Sequence, residues 1–241
     1  MTTVGLTLRS TVFWIGFALS ILVYSLLSPI QFLLPEKINR KIVRSWGVLN
    51  LWWLKVTCNL TYQIQGLENL PKQAVVIMAN HQSTFETLIL PQLFGRVTWV
   101  LKRELLFIPF FGWGLIHTKP IAINRKDGRS SVAQIKQVGK EKLAEGISIA
   151  IFPEGTRIGA TEHVPYKAGG GILATYAEVP VVPIAHNAGF FWPRHSFIKY
   201  PGVVTVSIGP LIETQGLSAT EVTKKTQDWI EAERQRLPRS R

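Results

Sequence analysis

A histidine, His81, stands five residues ahead of a carboxylate, Glu86, in the stretch AVVIMANHQSTFETLILPQLFG at residues 74–95. An imidazole can take a proton from an attacking hydroxyl, and a nearby carboxylate can orient it and stabilise the imidazolium that forms. Five residues along a regular helix separate two side chains by about 140°. His81 therefore has to lie in a turn before the helix if the two are to meet. The same residues also carry a structural reading. Ser83 at the N-cap and Glu86 three positions on form a capping box. The two readings are compatible, because capping at Ser83 leaves His81 in the turn.

Four further polar stretches share this character. Residues 151–157 read IFPEGTR. Pro153 ends strand pairing, Gly155 lets the backbone turn and present amides, and Arg157 offers a planar fork suited to phosphate. Arg125 closes a short apolar run at 121–124, either as an anion contact or as a solvated strand end. Lys167 precedes Gly169-Gly170-Gly171, a glycine-rich helix start of the kind that receives anions. Lys102, Arg103 and Glu104 follow another strand and can equally be solvated. Among the other histidines only His186 follows a strand, and its reading is structural. No Gly-x-Ser-x-Gly elbow, Walker loop or dinucleotide fingerprint is present. The single cysteine, Cys58, lies in an apolar stretch, builds no metal site or internal disulfide, and reads as inert.

These groups need a frame. Short runs rich in Val and Ile at 74–78, 97–101, 121–124, 148–152, 181–185 and 203–208 predict strands. Residues 84–94, 103–115, 130–144 and 171–178 predict helices between them, and 219–236 a charged surface helix. The alternation predicts an α/β fold with a mainly parallel sheet flanked by helices. A strand feeding a polar turn and then a helix is where such sheets put their chemistry.

Ahead of this frame lies a different kind of sequence. Residues 10–35 carry no charge, although Pro29 should end or kink a helix there. Lys37, Arg40, Lys41 and Arg44 follow, then a second apolar stretch with Trp46, Trp52 and Trp53. Tryptophans beside cations are typical of the bilayer interface. A full span and a hairpin dipping into one leaflet both fit, and a third reading packs both helices on a soluble core. Four cations after the first stretch, against Arg9 before it, would place the basic segment on the cytoplasmic side. The division expected is 1–60 as membrane-associated N-terminal helices and 61–241 as the α/β domain. Lys+Arg 27 against Asp+Glu 15 leaves a net charge of +12, which points to an anionic partner. Only 17% of residues are charged and 46% are hydrophobic, which fits a membrane surface and an anionic substrate and argues against nucleic acid.

Asn80-His81-x4-Glu86, Ile123-Asn124-Arg125, Phe152-Pro153-Glu154-Gly155-Thr156-Arg157 and Val179-Pro180-Val181-Val182-Pro183 occur in the order and spacing of the glycerolipid acyltransferase family. Over residues 73–210 the chain resembles the bacterial 1-acylglycerol-3-phosphate acyltransferases of that family. The resemblance implies His81 as general base and Glu86 as its acidic partner, in a place where the family usually has Asp. It implies Arg125 and Arg157 as contacts for the acceptor phosphate, with Glu154 and Gly155 shaping their loop. Lys102, Thr156 and Lys167 complete the candidate substrate-binding set. Ile158 departs from the small polar residue usual after the arginine. The reaction implied moves a fatty acyl group from acyl-CoA or acyl carrier protein to the sn-2 hydroxyl of a lysophospholipid acceptor, without cofactor or metal. The site implied is the cytoplasmic face of a cell inner membrane. Another lysolipid acceptor, such as a lyso-ornithine lipid or lysophospholipid, and a non-catalytic lipid-binding role remain as alternatives.

Overall fold

Thr3–Leu26 is one uninterrupted helix (α1) in the computed structural model, which describes residues 2–124 and 127–239. At 1.5 Å per residue it is about 36 Å long, and it is apolar and long enough to cross a membrane. It begins earlier than the uncharged run suggests, with Thr2 accepting from the Gly5 amide as its cap. Pro29 does not kink it. The proline sits in the first turn of a separate helix, Ser28–Gln31 (α2), where a missing amide leaves no bond unmade. Glu36–Cys58 (α3) then runs back along α1. Tyr24 meets Ser45, Ser20 meets Asn50, and Trp53 donates to the Phe13 carbonyl. Asn59, in the left-handed region at φ 52°, ends the helix and turns the chain into the sheet.

Among the described residues seven strands follow: β1 (Leu60–Gln65), β2 (Val76–Ala79), β3 (Val97–Lys102), β4 (Ile121–Ile123), β5 (Ser148–Ile151), β6 (Val181–His186) and β7 (Gly202–Ile208). They form one sheet in the order β1-β7-β6-β2-β5-β3-β4. Every neighbouring pair is parallel except β6 and β7. The mainly parallel α/β architecture read from the sequence is therefore present. β2, β5 and β6 are buried at every position, which is why they read as unbroken apolar runs. β1 is the strand the sequence concealed. Its Thr-Tyr-Gln-Ile-Gln pattern is polar because it lies at a sheet edge with exposed positions.

The helices between strands are α4 (Phe85–Leu93), α5 (Phe111–Ile116), α6 (Gly128–Ala144), α7 (Gly169–Ala177) and α8 (Ala188–Phe191), and α9 (Ala219–Arg236) follows β7. The single helix expected over 103–115 is two pieces. A 3-10 turn, Arg103–Phe107, stops before Pro109, which cannot continue it, and α5 starts afterwards. Apolar cores lie on both faces of the sheet. Ile77, Leu88 and Val182 pack with Phe13, Phe17 and Leu54 from α1 and α3. Val76, Met78 and Ile149 pack with Ile135, Leu173 and Val222 from α6, α7 and α9. Val76 and Ile77 thus point to opposite faces, as strand geometry demands.

The glycines that open α7 serve this packing. A methyl group on Gly171 would lie 2.3 Å from the Ala219 carbonyl oxygen, and one on Gly170 would lie 2.6 Å from the Met78 sulfur. Only a hydrogen allows α7 to sit that close to α9 and β2. This close approach is a packing role for Gly170 and Gly171 that the sequence did not show.

Candidate active site

Register sets the site. β2 and β5 pair with Met78 opposite Ile151, so the turns that leave both strands emerge side by side. His81 lies in the first turn and residues 152–158 in the second.

The His81 Nδ1 and the Glu86 Oε1 are 2.7 Å apart. The same oxygen accepts the amides of Gln82 and Ser83, each at 2.9 Å. Glu86 thus reaches back to the start of its own helix and also holds the imidazole. The capping box itself is altered, because the Ser83 hydroxyl accepts from Phe85 rather than from Glu86, and Thr84 is the N-cap. Glu86 is wholly buried. Burial by itself would raise its carboxyl, but the bond from the His81 ring and the Ser83 amide outweigh that and hold it at about 2. Facing an ionised acceptor, His81 carries its proton on Nδ1, and the hydrogen-bond network assigns the lone pair to Nε2.

The rest of His81 is fixed as firmly. Its amide donates to the Glu154 Oε2 at 2.6 Å, and its carbonyl accepts from the Ile158 amide at 2.8 Å. Its ring stacks on Phe152 with centroids 4.0 Å apart and planes 11° apart, and Phe152 in turn stacks on Trp99 at 6.0 Å. Beneath it, Asn80 clips β2 to β6. Its side chain accepts from the His186 amide at 2.9 Å and donates to the His186 carbonyl at 3.0 Å. The buried His186 accepts from the Ala188 amide at Nδ1, so its Nε2–H donates to the Asn80 carbonyl at 2.7 Å. Burial pushes its pKa down and keeps it neutral, the structural part read for it from sequence.

The 152–158 loop turns at Gly155, whose φ of +75° suits glycine. Lys167 folds against it, with its amine 2.5 Å from where a Gly155 methyl would be, and its amide donates to the Pro153 carbonyl at 2.8 Å. Thr156 is exposed. Arg157 is partly buried, and its Nε has no hydrogen-bond partner among the described residues. Lys102 lies at the same end of the sheet, exposed and 3.3 Å from Glu104. Arg125 lies outside the described residues. β4 ends at Ile123, level with Lys102.

Three supporting residues escaped the sequence reading. Arg234 of α9 is nearly fully buried and donates to the carbonyls of Ala160 at 3.1 Å and Glu162 at 2.9 Å. Arg194 donates to the Arg157 carbonyl at 2.5 Å. Gln82 bridges the Ala160 carbonyl and the Gly189 amide, at 3.3 and 3.1 Å. Only the partners reveal these roles, since a cation in a charged helix has no local mark.

Glu154 is the electrostatic opposite of Glu86. Burial raises its carboxyl to about 8, against the bond from His81 and the charge of Arg234, and its Oε1 lacks a partner among the described residues. A neutral Glu154 leaves the loop free of a negative charge that would repel an anion. A raised carboxyl pKa means the fold holds the proton more tightly than the unfolded chain. Its contribution to stability is full below 4.5 and is lost as pH rises to about 8. The urea midpoint should therefore fall between pH 5 and pH 8.5, and Glu154→Gln, which keeps an acceptor for His81, should flatten that fall. An unchanged slope in the variant would refute the assignment.

An open α/β sheet with a His–carboxylate pair and a basic loop gathered at its strand ends is the frame of an α/β enzyme. The acyltransferase family model matches residues 61–187. The 1-acyl-sn-glycerol-3-phosphate acyltransferase of Pseudomonas aeruginosa is 39% identical over 228 residues, which cover 92% of this chain and 89% of that one. The human 1-acyl-sn-glycerol-3-phosphate acyltransferase beta is 32% identical over 153 residues, 61% of this chain and 54% of that protein. In fold, the chain matches a crystal structure of the 1-acyl-sn-glycerophosphate (LPA) acyltransferase PlsC from Thermotoga maritima, with a TM-score of 0.79 at 22% identity, over 98% of this chain and 97% of that one. The chain belongs to the acyltransferase family. It is an O-acyltransferase.

Proposed function

We propose that the chain acylates the sn-2 hydroxyl of 1-acylglycerol-3-phosphate, using acyl-CoA or acyl carrier protein as donor, to give phosphatidate. The observation that carries this reading is the 2.7 Å contact between His81 Nδ1 and a buried, ionised Glu86, which leaves Nε2 as the basic nitrogen. The acceptor hydroxyl gives its proton to Nε2 as its oxygen attacks the thioester carbonyl carbon. The tetrahedral intermediate collapses, the C–S bond breaks, and the imidazolium returns the proton to the departing thiolate. No acyl-enzyme is required. Arg157, whose Nε has no partner among the described residues, and Lys167 beside Gly155 are suited to the acceptor phosphate, and Arg125, Lys102 and Thr156 are assigned to the same anion. Glu154 and Gly155 hold the loop that presents them.

Residues 1–60 act as membrane-associated helices and 61–241 as the acyltransferase domain, on the cytoplasmic face of the inner membrane. Leu8, Val12, Ile15, Leu19, Leu22 and Leu26 of α1 are all exposed, and their spacings of four and three put them on one helical face. Trp52 and Val56 of α3 and Phe107 and Trp113 near α5 add exposed apolar area that a bilayer would cover. The test is a panel of acceptors and donors with detergent-solubilised protein. Lysophosphatidate should be acylated with release of free thiol, and a lysolipid lacking the phosphomonoester should be a poor acceptor. Equal rates on both acceptors would reject the phosphate assignment. Absence of thioester consumption would reject the reaction.

A further inference from the structure

A second basic site lies at the other end of the sheet. A cleft of about 460 Å³ opens where α3 begins, beside Arg96 and Val97 at the start of β3 and Ile147 just ahead of β5. These are the N-terminal ends of β3 and β5, whose C-terminal ends carry Lys102 and the 152–158 loop, beside the β2 end that leads to His81. Six cations line the cleft, Lys37, Arg40, Lys41, Arg44, Arg96 and Lys119, against one carboxylate, Glu36.

That carboxylate is already oversubscribed. It accepts from Arg40 at 2.5 Å and Arg96 at 2.6 Å on one oxygen, and from Lys119 at 3.3 Å on the other. The Arg96 bond, with Lys119, pulls its pKa down to about 2 despite some desolvation. Arg44 is spent on Gln92. Lys37 and Lys41 are exposed and have no hydrogen bond or ion pair among the described residues, and the Arg96 Nε is buried without a partner. The cleft thus carries five more positive charges than negative, with donors unused.

Its rim says which kind of anion fits. Phe32 lines the cleft and is 66% exposed, Leu33 beside it is 85% exposed, and Ile116 also lines it at 44%. These side chains continue the exposed apolar face of α1 through Leu26 and Ile30. A free phosphate or a nucleic acid has no use for such a border. A phospholipid does, since its chains can lie along Phe32 and Ile116 while its headgroup enters the cleft.

We infer that this cleft binds the phosphate headgroup of an anionic phospholipid of the membrane in which α1 sits, apart from the catalytic centre. The inference does not depend on the role given to His81. The test uses the full-length chain in detergent, with native mass spectrometry of adducts formed with phosphatidylglycerol or phosphatidylcholine of equal chain length. Phosphatidylglycerol should bind preferentially. The double variant Lys37→Gln, Lys41→Gln should weaken it roughly 25-fold, taking about 1 kcal/mol for each lysine near an anionic headgroup. Lys224→Gln with Lys225→Gln on α9 should leave it unchanged, as should Arg157→Gln at the catalytic end. Thermal unfolding of each variant controls for folding. Equal binding of both lipids, or binding indifferent to Lys37 and Lys41, would overturn the proposal. So would loss with Arg157→Gln, which would put the lipid in the catalytic site. Displacement by inorganic phosphate as effective as by lipid would make this an aqueous anion site instead. Capture of an acidic acyl carrier protein through Lys37 and Lys41, with no lipid adduct, would make it a donor-docking site.

Discussion

His81→Ala should lower the rate of thiol release by about 10²–10⁴-fold and leave the fold intact. The reasons are geometric. The bonds that place residue 81 run through its backbone, to Glu154 and from Ile158, and alanine keeps both. Glu86 keeps its two amide donors, so the buried carboxylate is not stranded. What disappears is the nitrogen that takes the proton. Burst-free steady-state assays with an acyl thioester, beside a far-ultraviolet spectrum and a melting curve, separate the two effects. Substantial turnover in the folded variant would mean that another group is the base.

The second large effect is expected at Glu86. In Glu86→Leu the amides of Gln82 and Ser83 lose their acceptor inside a dry turn. Each unsatisfied donor costs about 1–3 kcal/mol, so the loss of stability should be about 2–6 kcal/mol. Glu86→Gln keeps one acceptor oxygen and should lose far less stability. It should still lose activity, because a neutral amide does not stabilise the imidazolium. The pair also predicts a pH signature. A folded pKa of about 2 against an ordinary 4.5 means that the ionised Glu86 contributes fully above 4.5 and progressively less as pH falls toward 2. Urea midpoints measured from pH 6 down to pH 3 should fall in the native chain more steeply than in Glu86→Gln. Parallel slopes would show that the carboxylate is not held as described.

How far these residues could be read from the chain alone follows from how local their signals are. His81 and Glu86 are five residues apart, so helix geometry alone required the turn in which the structure places His81. The six apolar strands were legible because parallel strands buried on both faces are nearly continuous in Val and Ile. β1 was hidden because an edge strand needs no such run, and its polar residues are satisfied by β7 and by water. The packing role of Gly170 and Gly171 was hidden. A glycine that admits an anion and a glycine that admits a neighbouring helix look the same in sequence, and only the short distances to Met78 and the Ala219 carbonyl reveal the second. Arg234 and Arg194 were illegible for another reason. Each reaches a backbone carbonyl far away in the sequence, and carbonyls leave no mark in the amino-acid code.

The pairing of Leu60 with Gly202 sets a timetable for synthesis. The edge strand next to α3 leaves the ribosome 142 residues ahead of the strand beside it. At about 5–20 residues per second that interval is roughly 7–28 s. α1 is complete long before the sheet can close, so its apolar face stands uncovered by the sheet while the remainder is still being translated. A nascent chain halted after residue 65 and before residue 202 would hold a helix pair and an unzipped edge, a natural client for a chaperone.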